Sequence, residues 1–174
     1  MQNYSFLEKK LHDLILSNSF INKSLFEIER LFFLDKKKKN TNDKHIFITS
    51  LPRSGTTMLL NYIYSSGEFY SLTYRNMPFI MAPNFSKIYK KKKFLHKKER
   101  FHNDGVMYDL DSPESFDEVF FKTFNDKNEN KNILFIDFIS LITKNNEKKY
   151  LSKNNNNYKR IEFLTSTFPN SSIL

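Results

Sequence analysis

Residues 46–59 read IFITSLPRSGTTML, an apolar run that ends in a turn and resumes at a different spacing. The stretch HIFITSL at 45–51 is short, β-branched and apolar on both faces, which is typical of a buried strand in a parallel sheet. After the turn, apolar residues recur at helical spacing until a glycine provides a natural stop: Met58, Leu59, Tyr62, Ile63 and then Gly67. Strand, loop and helix in this order predict the opening unit of an α/β fold.

The turn itself predicts an anion-binding loop. Backbone N–H groups converge at a helix start, and the helix dipole favours negative charge there. Gly55 permits close approach of a ligand, and Arg53 adds a forked cation that suits phosphate or sulfate oxygens. Ser54, Thr56 and Thr57 add hydroxyl donors. The alternative is an ordinary strand-to-helix turn that is capped by a serine or threonine side chain.

The loop does not fit the Walker pattern G-x-x-x-x-G-K-[ST]. Position 50 is serine, no leading glycine is present, and Thr56 follows Gly55 where that pattern requires lysine. The sequence therefore disfavours an ordinary ATPase or kinase, and no carboxylate pair accompanies the loop to hold Mg²⁺.

We expect a single domain over 1–174, with a helical N-terminal segment at 1–36 and an α/β nucleotide-binding core at 44–174. Apolar spacing predicts a helix over 6–16, and the capping-box spacing of Ser24 and Glu27 predicts a second helix that starts there. That second helix is expected to carry an apolar face of Leu25, Ile28, Leu31 and Phe32. Further predicted elements are a strand at 69–73, a helix begun by Ser112 and Pro113, a helix at about 132–143, a strand within KKYLSK at 148–153, a helix capped by Asn157, and a strand start at 172.

The composition points to a cytoplasmic protein without a disulfide framework. The 174 residues include no cysteine, and the N-terminus has no apolar stretch long enough for a signal peptide or a membrane span. The net charge is +9, but 23 of the 28 basic residues are lysines and 20 residues are asparagines, which is typical of coding bias in an AT-rich genome. Nucleic-acid binding is therefore the weaker interpretation of the charge.

At this point the sequence resembles the sulfotransferase family, in its bacterial branch. PRSGTT after an apolar strand is similar to the 5′-phosphosulfate-binding loop of enzymes that use 3′-phosphoadenosine 5′-phosphosulfate (PAPS). Three later blocks are also similar, in the same order: SLTYRNMPFIMAPN, HNDGVMYDLDSPESFDEVFF and YLSKNNNNYKRIEFLTSTFPNSSIL.

The resemblance implies a P-loop NTPase-like three-layer α/β fold with a central parallel sheet, with PAPS across the carboxyl ends of the strands. It implies transfer of a sulfuryl group to an acceptor hydroxyl or amine without a metal. The loop residues that match the donor cradle are Pro52, Arg53, Ser54, Gly55, Thr56 and Thr57.

An acceptor hydroxyl needs a general base, for which His102 is the first candidate because imidazole titrates near neutrality. Asp104 could orient His102 or replace it; the alternative is a solvated histidine beside an Asn-Asp-Gly turn. Glu114 and Glu118 are further candidates, although acids in a first helical turn commonly serve the helix dipole.

Two basic residues complete the predicted site. Arg75 follows a predicted strand end and is expected to face the cofactor or an acidic acceptor, with an ion pair as the alternative. Lys153 follows a predicted core strand, at the end where ligands bind in such sheets. It is similar to the lysine that many sulfotransferases place near the bridging oxygen of the donor.

The resemblance departs from the family at its end, because the arginine and serine that hold the 3′-phosphate of PAPS would follow Leu174. We therefore expect an incomplete domain: a gene fragment, a split protein completed by a second chain, or a chain cut at an artificial boundary. Three functions remain open: a sulfotransferase, a non-catalytic nucleotide- or anion-binding remnant, and a basic protein that binds nucleic acid or acidic glycan. The residues do not choose an acceptor among glycan, lipid, small alcohol or protein.

Overall fold

A computed structural model describes residues 15–35, 44–51, 53–88, 98–99 (main chain only), 107–125, 130–144 and 147–174. In chain order the elements are α1 (Ser19–Phe33), β1 (Ile46–Ile48), α2 (Thr56–Tyr64), β2 (Phe69–Tyr70), a 3₁₀ turn (Tyr74–Asn76), α3 (Phe85–Ile88), β3 (Lys98–Glu99), β4 (Met107–Tyr108), α4 (Glu118–Thr123), α5 (Lys131–Ile142), β5 (Lys149–Lys153), a 3₁₀ helix (Asn155–Arg160), α6 (Ile161–Thr167) and β6 (Ser172–Ile173). No helix within these ranges is long and apolar enough to cross a membrane.

Four strands form a parallel sheet in the order β2–β5–β1–β6. Ile48 at the end of β1 lies opposite Lys153 at the end of β5, and Phe47 lies opposite Ile173 of β6. Because the strands run the same way, their carboxyl ends share one edge, and the loops after β1 and β5 meet there. The predicted α/β class with a central parallel sheet is confirmed for the described residues.

The two faces of the sheet are covered by different elements because side chains alternate along each strand. On one face, Ile48 and Leu151 pack with Leu60 of α2. On the other face, Phe47 and Tyr150 join a larger core built with α1, α4, α5 and α6. The buried aromatic members of that core are Phe26, Phe47, Phe120, Phe121, Phe124, Phe135, Phe138, Tyr150 and Phe168. Strand β1, which precedes the loop, is therefore packed on both faces, and helix α2, which follows the loop, covers one of them.

Helix α1 begins earlier than its sequence pattern predicted. The helix starts at Ser19, and the Asn18 side chain caps it by accepting hydrogen bonds from the N–H groups of Phe20 and Ile21. The predicted start at Ser24 is wrong, because Ser24 lies inside the helix. Glu27 pairs with the Arg30 guanidinium at 2.9 Å.

The buried face of α1 also differs from the prediction. Phe26 and Glu29 are fully buried, whereas Leu31 and Phe32 are 78% and 74% exposed. The Phe26 ring meets those of α4 and α5 edge-on, and the Glu29 carboxylate accepts hydrogen bonds from the N–H groups of Asn84 and Phe85. The buried face of α1 is therefore set by its tertiary contacts, and apolar spacing alone does not predict it.

Replacing Asn18 by alanine is expected to lower the free energy of unfolding by about 1 kcal/mol, because two helix N–H groups lose their acceptor. Urea denaturation followed by circular dichroism measures the change. Asn18→Asp is the matched control, since it keeps the acceptor and adds favourable charge at the helix start. Equal destabilisation by both variants would contradict a capping role.

The helix predicted from Ser112 and Pro113 is also wrong in its start. Ser112 closes a turn with Asp109, accepting from its N–H at 3.0 Å and donating to its carboxylate at 2.8 Å. Pro113 instead pairs with Thr73 in an isolated antiparallel bridge. The helix, α4, begins only at Glu118.

Asn157 does not cap the helix that follows β5. It is buried and donates to the Ile48 carbonyl at 3.3 Å, whereas Asn154 takes the capping place and accepts from the Asn156 N–H. The strands at 148–153 and from 172 and the helix at about 132–143 are confirmed. The strand predicted at 69–73 is shorter in the structure, where β2 spans only Phe69–Tyr70. The helix predicted over 6–16 lies mostly outside the described residues.

Candidate functional site

The turn between β1 and α2 contains two residues in the left-handed backbone region. Arg53 has φ 67° and Gly55 has φ 80°, and such values are strained for any residue with a side chain. The Ser54 hydroxyl lies 2.6 Å from the Ser50 hydroxyl and donates to the Leu51 carbonyl at 2.7 Å. This bonding folds the loop onto itself and leaves Arg53 exposed at its tip.

The first turn of α2 follows without a side-chain cap. Gly55 occupies the N-cap position, and glycine has no side chain that could accept a hydrogen bond from the helix start. Met58 and Leu59 both donate to the Gly55 carbonyl, whereas the N–H groups before them lie too early in the helix to have an intrahelical acceptor. The loop therefore does not adopt the alternative of a turn capped by the side chain of its N-cap residue, and anion binding at this helix start stays a prediction.

Lys153 lies directly across from this helix start. It ends β5, and its Nζ lies 3.5 Å from the Thr57 Oγ1. The parallel pairing of Ile48 with Lys153 brings the two strand ends side by side. The structure thus joins Lys153 to the predicted loop, although 96 positions separate it from Thr57.

Behind Lys153, the next residue is locked in place by several hydrogen bonds. Asn154 is 3% exposed, and its N–H donates to the Ile48 carbonyl at 3.0 Å. Its side-chain amide donates to Asp117 at 3.2 Å and to Glu118 at 2.7 Å. Asp117 also accepts a hydrogen bond from Ser152. The backbone that carries Lys153 is therefore anchored on both sides.

The two carboxylates of this cluster have pKa values that shift in opposite directions. Burial raises the pKa of Asp117, although hydrogen bonds from Ser152 and Asn154 act against it. Burial also opposes ionisation of Glu118, but hydrogen bonds from Arg160 and Asn154 outweigh it and lower the pKa. The Glu118 carboxylate forms an ion pair with Arg160 at 2.9 Å, so this candidate base has a structural role in the fold. Sequence reasoning named Glu118 as a candidate base but missed the other members of this cluster, because they are joined only by folding.

Comparison with known protein families decides the membership of this chain. The model described as the sulfotransferase family matches residues 45–174, well over half of the chain. The chain belongs to the sulfotransferase family. Searches of curated proteins and of solved structures found no match.

In this member of the family, Arg75 adopts the ion-pair alternative that the sequence left open. Its Nε and Nη2 atoms each lie 2.7 Å from an oxygen of the Asp111 carboxylate. This bidentate hydrogen bond raises the pKa of Arg75 still further. Glu114, a candidate base, accepts hydrogen bonds from the Tyr74 hydroxyl and the Ser115 N–H. Both residues therefore help to hold the segment around 110–115.

The remaining predicted site residues, Pro52, His102 and Asp104, lie outside the described residues. His45 is described and buried, with its Nδ1 accepting a hydrogen bond from the Tyr150 N–H at 3.0 Å. Within the described ranges of the chain, no group of three or more His, Asp or Glu side chains has the arrangement of a metal site. That sulfuryl transfer by this protein needs no metal ion remains a prediction.

Proposed function

We propose that this sulfotransferase moves a sulfuryl group from PAPS to an acceptor hydroxyl or amine. The proposal is carried by one observation: α2 starts from a glycine N-cap, and the Lys153 ammonium lies 3.5 Å from the Thr57 hydroxyl oxygen in its first turn. A parallel sheet with β1 inside it, followed directly by this loop and helix, also favours the P-loop type of α/β fold.

The loop residues fit an anionic phosphosulfate group. The first turn of α2 presents N–H groups without intrahelical acceptors, and the dipole of the nine-residue helix adds partial positive charge. Gly55 has open space beside its α-carbon: apart from Gly55 and its two neighbours in the chain, no atom lies within 4 Å of the position that a β-carbon would occupy. Arg53 is exposed at the loop tip and can extend its guanidinium over the bound anion.

PAPS would supply an activated sulfuryl group, whose bond to the 5′-phosphate oxygen breaks as the acceptor oxygen or nitrogen bonds to sulfur. Lys153 would place its positive charge beside the phosphate oxygen that takes the electron pair. Thr57 and the helix N–H groups would hold the equatorial oxygens. Such loose transfers require positioning and charge stabilisation, which these residues are placed to provide. His102, or Asp104 in its place, is the proposed acceptor of the hydroxyl proton.

Titration with 3′,5′-adenosine bisphosphate, the product nucleotide, tests the donor site by calorimetry. Arg53→Ala is expected to weaken binding roughly 100-fold, because charge-assisted hydrogen bonds to the anion are lost. Arg53→Gly should weaken binding equally while matching or exceeding the wild-type stability, because glycine accepts a positive φ without strain.

Lys122→Ala is the matched control, since it removes one exposed positive charge on α4, on the opposite face of the sheet. Equal weakening by Arg53→Ala and Lys122→Ala would indicate diffuse electrostatic binding and contradict the proposal. Radiolabelled sulfuryl transfer from PAPS then separates an active enzyme from a nucleotide-binding remnant.

A further inference from the structure

Helix α1 has two apolar faces, an inner one and an outer one. The inner face contributes Phe26, which is fully buried against rings of α4 and α5. The outer face carries four large apolar side chains, whose exposed fractions are 79% for Phe20, 43% for Ile28, 78% for Leu31 and 74% for Phe32. A helix that is apolar around most of its circumference is normally covered on both sides, so the outer face is expected to have a partner.

Part of the outer face forms a continuous row along the helix. Four residues spaced by four lie along one ridge, which we call the α1 ridge: Phe20, Ser24, Ile28 and Phe32. The rings of Phe32 and Phe85 of α3 meet edge-on at 6.1 Å, so one end of the ridge is held in place. The ridge is therefore formed within one copy of the chain, before any partner binds.

The α1 ridge and the neighbouring Leu31 expose enough surface for a small interface. With about 200 Å² for a fully exposed phenylalanine, and somewhat less for leucine or isoleucine, their exposed fractions amount to roughly 500 Å² per copy. Two copies packed face to face would remove roughly 1,000 Å² from water, which is the lower limit of a specific protein–protein interface. The area is therefore sufficient for a weak homodimer.

The spacing of the α1 ridge is symmetric about residue 26, which suits a second copy of the same helix. Phe20 and Phe32 lie six residues to either side of this centre, and Ser24 and Ile28 lie two residues to either side. In an antiparallel pair, Phe20 of one copy therefore meets Phe32 of the other, and the small Ser24 meets the larger Ile28. Ridges of this spacing on two helices interdigitate at about −50°, the commonest class of helix packing.

The charges beside the ridge also suit an antiparallel pair. Lys23 and Glu27 lie one helical turn apart on the same border of the ridge, and the Glu27 side chain is 54% exposed. The antiparallel arrangement brings Glu27 of one copy beside Lys23 of the other, and the twofold symmetry repeats this contact. Unlike charges therefore meet at the border, which favours this orientation of the two helices.

We propose that the α1 ridge is a homodimer interface, at which two copies of this chain pack their α1 helices antiparallel across a twofold axis near residue 26. The inference goes beyond the proposed function and does not depend on it, because α1 contributes no residue to the proposed donor site. The alternative occupants are a different protein and residues 1–14, which lie outside the described residues and carry apolar residues at helical spacing.

Sedimentation velocity of the full chain tests the proposal at physiological ionic strength, which screens the net charge of +9 on each copy. We expect a dimer with a dissociation constant on the order of 10 μM, as suits an interface of this small area. Leu31→Lys is expected to weaken dimerisation roughly 100-fold, because it places a charge in an apolar contact. The variant should fold normally, because Leu31 is exposed and the new lysine follows Glu27 by four residues, a favourable helical pair.

Tyr62→Lys is the matched control for this substitution. Tyr62 lies on α2 and is 77% exposed, nearly the same fraction as Leu31, so its replacement introduces the same charge at an equally exposed apolar position. The control variant should dimerise like the wild type.

Cross-linking tests the orientation of the two copies. The chain contains no cysteine, so a single introduced thiol reports only its own surroundings. Ser24→Cys places that thiol two residues from the proposed twofold axis, and a short bis-maleimide is expected to link two copies through it. Thr165→Cys, at an exposed position on α6, is the control and should give only background linkage. Adding Leu31→Lys to Ser24→Cys should abolish the linkage.

Two results would overturn the inference. A wild-type chain that stays monomeric up to roughly 200 μM has no such interface, and the ridge is then left to residues 1–14 or to a different protein. A dimer that survives Leu31→Lys, or that is not linked through Ser24→Cys, uses another surface. Dimerisation and linkage that are both lost in Leu31→Lys and kept in Tyr62→Lys assign the interface to the α1 ridge.

Discussion

Replacing Lys153 by alanine is expected to slow sulfuryl transfer by about 10²- to 10³-fold, the effect of removing one group that stabilises developing charge. The lysine ends β5 and reaches Thr57 at the start of α2, so its charge lies where the departing phosphate oxygen is proposed to form. Binding of 3′,5′-adenosine bisphosphate should change by less than about tenfold, because the loop N–H groups and Arg53 remain. Radiolabelled transfer from PAPS to water, or to a panel of alcohols, amines and sugars, measures the rate.

Lys153→Arg and Lys159→Ala are the controls for this result. Arginine keeps the charge but changes its geometry, so a partial loss of rate is expected. Lys159 is exposed on the 3₁₀ helix after β5, and its ammonium lies 5.4 Å from the Tyr158 ring. A Lys153→Ala enzyme that loses nucleotide affinity but keeps its maximal rate would place Lys153 in binding and not in the transfer step.

The Asp117→Ala variant is expected to lose about 3–5 kcal/mol of folding free energy, because two buried donors lose their acceptor. Those donors are the Ser152 hydroxyl and the Asn154 amide, and Asp117 itself is 2% exposed. The Lys153 backbone lies between Ser152 and Asn154, so we expect activity to fall as well. Urea denaturation gives the free energy of unfolding.

Asp117→Asn supplies both a control and a test of pH dependence. Burial raises the pKa of Asp117 in the folded state, so the folded protein binds a proton more tightly than the unfolded chain. The contribution of Asp117 to the free energy of unfolding is therefore largest at pH values below its pKa in the unfolded chain. It is lost as the pH rises through its pKa in the folded protein. Wild type should lose stability relative to Asp117→Asn between pH 4 and pH 7 (the chosen assay limits, about the ordinary carboxyl pKa and neutrality). A constant difference would contradict a raised pKa.

Local patterns were sufficient wherever an element depends on its own residues. The run around Phe47 predicted β1, Gly55 and its neighbours predicted a loop that opens a helix, and Gly67 ends that region with φ 75°. The family was also readable from the PRSGTT loop and the blocks that follow it, and the match over residues 45–174 confirms it. These features are local because strand, turn and helix preferences act over a few neighbouring residues.

Helix faces and helix caps were decided by packing instead. The apolar stripe of α1 predicted a buried Leu31 and Phe32, yet Phe26 and the charged Glu29 are the residues inside. Glu29 can be buried because its carboxylate accepts hydrogen bonds from the N–H groups of Asn84 and Phe85, which lie 55 and 56 positions further along the chain. No periodicity within α1 contains that information.

By itself the sequence determined the α/β class, the loop that opens a helix after β1, and membership of the sulfotransferase family, whereas anion binding by that loop stays a prediction. Only the tertiary structure decided that Lys153 meets Thr57, that Arg75 is paired with Asp111, and that Asp117 holds Ser152 and Asn154. The reason is physical: strand register and helix packing bring together residues far apart in the chain, and local propensities do not specify those partners.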